Sequence, residues 1–246
     1  MFFLILVRIT GFMFTAPFFS LKNVPQRVKI GLSVFVAVIV FYTVTYNGPE
    51  YNGLIGYALV VIIEALAGVI MGFFTNIAFF ILAFSGQMID MEVGFSMVNE
   101  LDPTTNIQTT ITANIYGYLV TLIMMITNLH HYFLRAIIDS FQIIHIGEVK
   151  INPNMYKLMI DFMTDYFIIG FRIVLPVFAA ILIVNTILAI LAKIAPQMNM
   201  FVVGMQLKIF VGLMVLALIM DLVPAVADFI FNKMVEMLKA SIELLH

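Results

Sequence analysis

The sequence predicts an all-α integral membrane protein. Its 246 residues are 63% hydrophobic and 11% charged, with a mean hydropathy of +1.11. Soluble domains are about 45–50% apolar and about 25% charged, so the chain departs from them in both respects. The apolar residues form long runs and not segments of about ten alternating residues, which favours membrane helices over an outer-membrane barrel.

Charge and cysteine content exclude several functional classes. The net charge is −2, so the sequence offers no broad basic surface for nucleic acid. It has no cysteine, which removes disulfides and thiolate zinc sites. His130 and His131 are adjacent and would point about 100° apart on a helix, so they cannot easily share a metal. Nucleophile elbow, P-loop, zinc-protease and Rossmann motifs are all missing. We therefore expect no enzyme activity, no cofactor and no metal.

The first two apolar runs predict two helices joined by a basic loop. The first covers Phe2–Phe19 and ends near Ala16 and Pro17, because proline disfavours helical geometry in the residue before it. Residues 22–29 carry three positive charges, which favours a cytoplasmic location for this loop. A second helix is expected over residues 30–46.

The next apolar run, residues 54–97, is too long for one membrane crossing. At about 1.5 Å per residue it would form roughly 65 Å of helix, about twice the hydrocarbon thickness. We expect a hairpin, a kinked helix or a helix that continues outside the bilayer. Gly68 and Gly72 would place small residues on one face for close helix packing, although chance also produces such pairs in apolar helices.

A polar face and a polar loop follow. Gly86, Asp90 and Gly94 recur every four residues, so one helix face carries glycine, a carboxylate and glycine. The longest polar stretch of the chain comes next, between two apolar helices, and fits either a solvated loop or a mobile loop at a gate. It consists of Asn99, Glu100, Leu101, Asp102, Pro103, Thr104, Thr105, Asn106, Ile107 and Gln108.

The second half of the chain predicts further helices and an amphipathic tail. Apolar runs cover residues 109–127 and 133–144, a long run to residue 191 contains Arg172 and Pro176, and another covers 205–223. In the tail, the polar residues fall on one stripe, which predicts an interfacial or partner-binding helix. The stripe consists of Asp228, Asn232, Glu236, Lys239 and Glu243.

The corner between the last two long apolar runs has an unusual composition. Pro196 stops a helix, Gln197 and Asn199 carry amides that need partners where water is scarce, and Gly204 permits close backbone approach. Lys208 follows one turn later inside apolar sequence. A tight turn between membrane helices is the simplest interpretation, but it does not explain Gln197, Asn199, Gly204 and Lys208 together.

Charged residues inside the apolar runs also need partners. Each costs at least about 2.5 kcal/mol at the centre of a membrane helix. They indicate either a proton or ion path or burial inside a larger protein assembly, and the many polar residues in the apolar runs favour the assembly. The residues are Arg8, Glu64, Asp90, Arg172, Lys193, Lys208 and Asp221.

Many of these residues together resemble the landmarks of the FliR family. Arg8-x-x-Gly11, then Ala16-Pro-Phe-Phe-Ser20, is similar to the family's start, and Ala195-Pro-Gln-x-Asn-x-Phe is the most specific stretch. This family is the integral membrane subunit of the flagellar type III export apparatus and is related to the SctT proteins of injectisomes. The resemblance covers nearly the whole chain. It rests on Arg8, Gly11, Ala16, Pro17, Ser20, Pro25, Gly68, Gly72, Gly86, Asp90, Gly94, Pro176, Pro196, Gln197, Asn199, Phe201, Gly204 and Lys208.

The resemblance implies an architecture. Family members assemble with FliP-like and FliQ-like subunits into a helical, pore-forming gate, with an FlhB-like subunit around its base and an FlhA-like ring below. It implies one export-gate domain over residues 1–246, built from long helical hairpins. About 1–150 would be FliP-like, and about 151–246 FliQ-like with the amphipathic C-terminal helix. The location implied is the bacterial inner (cytoplasmic) membrane, as a multi-pass subunit at the flagellar basal body.

The resemblance also implies a function, a channel for unfolded flagellar substrates. Residues 99–108 would form a plug, and Pro196–Asn199 a FliQ-like hairpin turn where the channel narrows. We expect the glycines at 68, 72, 86 and 94 to allow close packing, and Asp90 and Lys208 to form inter-subunit pairs. The alternatives are a virulence injectisome gate subunit, a small ion-coupled transporter using Glu64, Asp90 and Asp221, or a scaffold without a channel role.

Overall fold

The part of the chain that the structure describes contains helices and no strands. A computed structural model describes residues 1–21, 24–44, 51, 53–95, 110–197 and 199–246. A short 3₁₀ turn, Met220–Leu222, precedes the last helix. The α-helices in these residues are α1 Phe2–Thr15, α2 Gln26–Thr43, α3 Gly53–Asn76, α4 Phe79–Val93, α5 Ile111–Ile126, α6 Leu129–Ile143, α7 Met155–Ile194, α8 Met200–Leu218 and α9 Val223–Glu243.

Several of these helices are long and apolar enough to cross a membrane. Among the described residues four stretches qualify, and a fifth is added if α5 and α6, which form a bent pair, count as one crossing. The predicted fold class, an all-α integral membrane protein, is confirmed. The four stretches are Gln26–Thr43, Gly53–Val93, Met155–Ile194 and Met200–Leu218.

The helix boundaries follow the prolines and glycines of the sequence. Helix α1 ends at Thr15, and Ala16 is extended at φ −68° and ψ 149°, as its position before Pro17 requires. Helix α2 begins four residues earlier than predicted, directly after Pro25, whose fixed φ suits a helix start. Pro176 lies inside α7 and does not end it.

The long apolar run at residues 54–97 contains two helices. Helix α3 ends at Asn76 and α4 begins at Phe79, with Ile77 and Ala78 between them. Helix α4 stops at Val93, earlier than the run itself, because Gly94 adopts a φ of +95° that ends the helix.

The chain divides into two compact units, each built from separated segments. Unit 1 comprises Met1–Ala78, Met124–Phe162 and Phe229–His246, and unit 2 comprises Phe79–Ile123 and Met163–Asp228. This division is based on contacts within the chain, whereas the FliP-like and FliQ-like portions were defined by similarity to other subunits. The two portions therefore stay a prediction.

Unit 1 is built around α1, which packs against both α2 and α3. Glycines bring α1 and α3 together. A Cβ added to Gly11 would lie 2.8 Å from the carbonyl oxygen of Ala65, and one added to Gly68 would strike the carbonyl oxygen of Arg8. One added to Gly72 would strike the hydroxyl of Thr15. The two backbones therefore touch along this face.

Helix α9 is amphipathic, as the sequence predicts. Its polar stripe is exposed, and its apolar face is buried at Ile230, Met234 and Met237. The ring of Phe231 lies 5.7 Å from that of Phe133 on α6. The apolar face is therefore packed within unit 1, and the interfacial or partner-binding role of this helix stays a prediction. The polar stripe remains accessible to a partner.

Unit 2 is built around α4, which contacts α5, α7 and α8 at points where small residues permit close approach. Gly86 on α4 meets Ala113 on α5 so closely that a Cβ would collide with its backbone. The ring of Phe84 lies over Gly170 on α7, and the Cγ atoms of Val93 lie where a Cβ on Gly212 of α8 would be.

Candidate functional site

A buried ion pair joins three segments of unit 1. The side chains of Arg8 and Glu64 are both 0% exposed, and Nε of Arg8 donates to Oε2 of Glu64. Nη1 of Arg8 donates to the carbonyl oxygen of Ile144 at 2.9 Å, and its guanidinium lies 4.4 Å from the ring centre of Phe141. Oε1 of Glu64 accepts the backbone N–H of Gly147 at 2.8 Å. The pair thus fixes the turn after α6 against α1 and α3.

The same turn is tied to the C-terminal end of the chain. The backbone N–H of Lys150 donates to the carbonyl oxygen of Leu245, and that of Asn152 donates to the carbonyl oxygen of Leu244, both at 3.0 Å. The segment after α6 is therefore held by the Arg8–Glu64 pair at Ile144 and Gly147 and by the C-terminal end at Lys150 and Asn152.

Sequence reasoning named Arg8 and Glu64 as buried charges and did not pair them. The signal that could have done so is spacing. Arg8 stands three residues before Gly11, and Glu64 stands four before Gly68, so each charge shares a helix face with a glycine. If those glycines mark the contact between two helices, the two charges meet there.

Asp90 is held within the chain. Its side chain is buried in unit 2, and its carboxylate accepts both the hydroxyl and the backbone N–H of Thr112. The N–H distances are 3.2 Å to Oδ1 and 3.4 Å to Oδ2. Asp90 lies one turn after Gly86, so these hydrogen bonds adjoin the closest contact between α4 and α5.

Gly94 differs from the packing role that the sequence suggested. A Cβ at this position would meet nothing within 4 Å, whereas the φ of +95° is a conformation that side chains rarely adopt. Gly94 is therefore a helix terminator, and its N–H donates to the carbonyl oxygen of Asp90 at 3.1 Å. The expected plug loop, residues 99–108, lies outside the described residues.

The corner between α7 and α8 leaves its polar groups exposed. Helix α7 ends at Ile194, and α8 begins at Met200, five residues before the predicted start. Pro196, Gln197 and Asn199 are exposed, and the Asn199 side chain makes no capping hydrogen bond to α8. Phe201 is 65% exposed. Two amides and an aromatic ring therefore stand together on the outside of this chain.

A cavity of about 310 Å³ lies beside the corner in unit 2. Glu92 and Lys208 give it opposite charges. Across the described residues, no hydrogen bond or ion pair involves Lys208, which is half-buried. Gly204 is buried, and a Cβ there would lie 3.1 Å from Cδ1 of Leu188. The cavity is lined by Met91, Glu92, Val93, Gly94, Asn185, Leu188, Met200, Phe201, Gly204, Met205 and Lys208.

The N-terminal motif residues form a buried turn. Ala16, Pro17 and Phe18 are buried, and the N–H of Ser20 donates to the carbonyl oxygen of Ala16 at 3.0 Å. The ring of Phe18 lies 6.0 Å from that of Phe133 on α6, so this turn packs against a distant part of unit 1.

The structure gives no metal-binding geometry in the residues that it describes. No group of three or more histidine, aspartate and glutamate side chains there could hold a metal ion. His130 and His131 stack with ring centres 4.1 Å apart at the start of α6.

Comparison with known proteins places the chain in a family. Residues 1–234 match the family described as bacterial export proteins, family 1. The chain is 32% identical over 241 residues to the flagellar biosynthetic protein FliR of Bacillus subtilis (strain 168), covering 97% of this chain and 93% of that protein.

FliR proteins of two further bacteria are similar. The Escherichia coli (strain K12) protein is 27% identical over 233 residues, which is 95% of this chain and 89% of that protein. The Pectobacterium carotovorum protein is 29% identical over 232 residues, 94% of this chain and 88% of that protein. The chain therefore belongs to the bacterial export proteins of family 1, the family of the FliR proteins, and the resemblance found in the sequence is confirmed.

Proposed function

We propose that this chain is a core membrane subunit of the flagellar type III protein export gate and helps to form the channel for unfolded flagellar substrates. The observation that carries this proposal is the match to FliR proteins over nearly the full length of both chains. The candidate membrane spans agree with it. The family is described as one of bacterial export proteins, and we infer that the chain contributes a passage and no chemistry of its own.

The assembly that we propose contains FliP-like, FliQ-like, FlhB-like and FlhA-like subunits in the inner membrane at the flagellar basal body. The exposed apolar surface of the single chain supports burial by lipid and neighbouring helices. Tyr42 is 82% exposed and Leu54 is 85% exposed, each on a helix that could cross a membrane.

The corner at Pro196–Asn199 supports a protein neighbour over lipid at that place. The exposed amides of Gln197 and Asn199 would lose hydrogen bonds in hydrocarbon, at a cost of several kcal/mol each. A neighbouring subunit can satisfy them and cover Phe201 as well. We therefore propose that this hairpin turn is an inter-subunit contact.

Asp90 and Lys208 were both expected to pair between subunits, and the structure supports this role more strongly for Lys208. It is half-buried in the cavity wall without a partner among the described residues, so a carboxylate from a neighbouring subunit would complete it. Asp90 already has Thr112 as an internal partner. Its pairing with another subunit stays a prediction, as does the plug role of residues 99–108.

The transporter alternative loses support from the contacts of its candidate residues. Glu64 is bound to Arg8 and Gly147, and Asp90 is bound to Thr112, so both carboxylates are committed to internal partners. The similar proteins from Bacillus, Escherichia and Pectobacterium are flagellar, and nothing in them favours an injectisome or a transporter.

Co-expression with FliP-like and FliQ-like subunits from the same organism tests the proposal. We expect a stable hetero-oligomer in detergent, with a native mass that exceeds any complex of this chain alone. A chain that stays monomeric or homodimeric beside those partners would overturn the gate proposal. Liposomes containing the chain alone provide the second arm, because solute transport by the isolated chain would support the transporter instead.

A further inference from the structure

Asp90 in unit 2 accepts hydrogen bonds both at the end of α4 and at the start of α5. The backbone carbonyl of Asp90 accepts the N–H of Gly94, which ends α4 at a φ of +95°. The carboxylate of the same residue accepts the hydroxyl and the N–H of Thr112, the second residue of α5. Both ends of the connection between these helices therefore converge on Asp90.

The contact with Thr112 occurs at the place where a helix needs an external acceptor. The first N–H groups of an α-helix have no acceptor within the helix, and a negative charge at that end is favoured by the helix dipole. A capping carboxylate or hydroxyl usually comes from the residue just before the helix. Here the carboxylate comes from α4 and reaches α5 across the contact between the two helices.

The packing around Asp90 leaves its carboxylate little freedom. Asp90 is 1% exposed and Thr112 is 2% exposed. One turn earlier on α4, Gly86 is in contact with Ala113, the neighbour of Thr112, so the two backbones cannot approach further. The spacing of Gly86, Asp90 and Gly94 thus serves three purposes: close approach, capping and termination.

We propose that Asp90 is a positioning residue that caps α5 from α4 and so fixes the start of α5 relative to the end of α4. This inference goes beyond the proposed export function and does not depend on it, because every contact that it uses lies within one unit of this chain. Neutral or shorter side chains at position 90 would release the first turn of α5 before they affect the rest of the unit.

Amide hydrogen exchange on the full chain, co-purified with its partners or alone in detergent, tests this role. The amide of Thr112 is the direct reporter, and interior amides of α5, such as that of Val120, are internal references. We expect Thr112→Val to speed exchange in the first turn of α5 about tenfold, since it removes one hydrogen bond to a carboxylate. Asp90→Ala removes every hydrogen bond that the carboxylate makes to Thr112 and should speed exchange further.

Conservative and matched variants separate positioning from general stability. Thr112→Ser keeps both donors and should restore wild-type exchange. Asp161→Ala removes an exposed carboxylate from α7 and should change nothing in α5. The proposal is overturned if the amide of residue 112 exchanges at the wild-type rate in Thr112→Val. It is also overturned if protection falls equally at residue 112 and at Val120. If Asp90→Ala does not fold, the comparison of Thr112→Val with Thr112→Ser decides the question alone.

Discussion

Arg8 and Glu64 are 56 residues apart in the sequence and form an ion pair with both side chains fully buried. The carbonyl oxygen of Ile144 and the N–H of Gly147 add one backbone hydrogen bond to each residue, whereas Nη2 of Arg8 is buried without a hydrogen-bond partner among the described residues. A buried pair of this kind is weak evidence for net stability, because the desolvation of both ions offsets much of their attraction. Its contribution is to fix which segments meet.

Loss of either partner of this pair leaves an uncompensated buried charge. We expect Arg8→Met or Glu64→Leu alone to destabilise unit 1 by about 3–5 kcal/mol, whereas the double variant should recover a large part of that loss. Thermal unfolding of the detergent-solubilised protein measures the midpoint of each variant. Arg172→Met, on an exposed arginine of α7, is the matched control and should leave the midpoint unchanged. A double variant as unstable as the sum of the singles would contradict a mutually compensating pair.

Gly68 should tolerate no side chain, because its Cα faces the backbone of α1. Gly68→Ala forces a methyl group against the carbonyl oxygen of Arg8, so α1 and α3 must separate. Overpacking of this kind costs about 1–3 kcal/mol. Gly31→Ala on α2 is the control, because a Cβ there meets nothing within 4 Å, and alanine favours a helix by about 0.5–1 kcal/mol. Equal unfolding midpoints for the two variants would show that the close contact of α1 and α3 is absent in solution.

Gly94 should resist substitution for a different reason, its backbone conformation. A Cβ at Gly94 has open space, so only the φ of +95° penalises Gly94→Ala, by about 1–2 kcal/mol. Gly117→Ala in α5 also has open space and lies within a helix, so it should be neutral or stabilising. Chemical unfolding of both variants separates strain from crowding. If Gly94→Ala matches Gly117→Ala, residue 94 does not occupy the left-handed region.

The sequence predicted the fold class and the approximate position of most helices because these depend on local properties. Long apolar runs, prolines and glycines act within a few residues, and α1 ends just before Pro17, as the sequence indicates. Helix α2 begins directly after Pro25, four residues before its predicted start. The helix ends that it missed also have local causes. Gly94, for example, ends α4 through its positive φ, whereas its spacing from Asp90 had suggested a packing role.

The site contacts were harder to predict because they join distant segments. The glycine spacing pairs Arg8 with Glu64 only if the two glycine-bearing faces are known to meet. No local pattern indicates that the carboxylate of Asp90 caps a helix that begins 21 residues later, at Ile111. The sequence identified these residues correctly as charges that need partners, since a buried charge is costly anywhere in an apolar run. The identity of each partner depends on which helix faces pack, and a single sequence leaves that choice open.

Lys208 should matter for assembly more than for the stability of the chain itself, if the proposed gate is correct. Lys208→Met removes a half-buried ammonium that has no partner among the described residues, so the isolated chain should keep its unfolding midpoint. In the co-purified complex, Lys208→Met would leave the proposed carboxylate of the neighbouring subunit buried without a counter-charge. We therefore expect the yield of FliP-like and FliQ-like subunits to fall about tenfold. Lys193→Met, on an exposed lysine in the last turn of α7, is the control and should co-purify normally. Lys208→Arg retains the charge and should restore part of the yield. Normal yield with Lys208→Met would remove this residue from the subunit contact while leaving the family assignment intact.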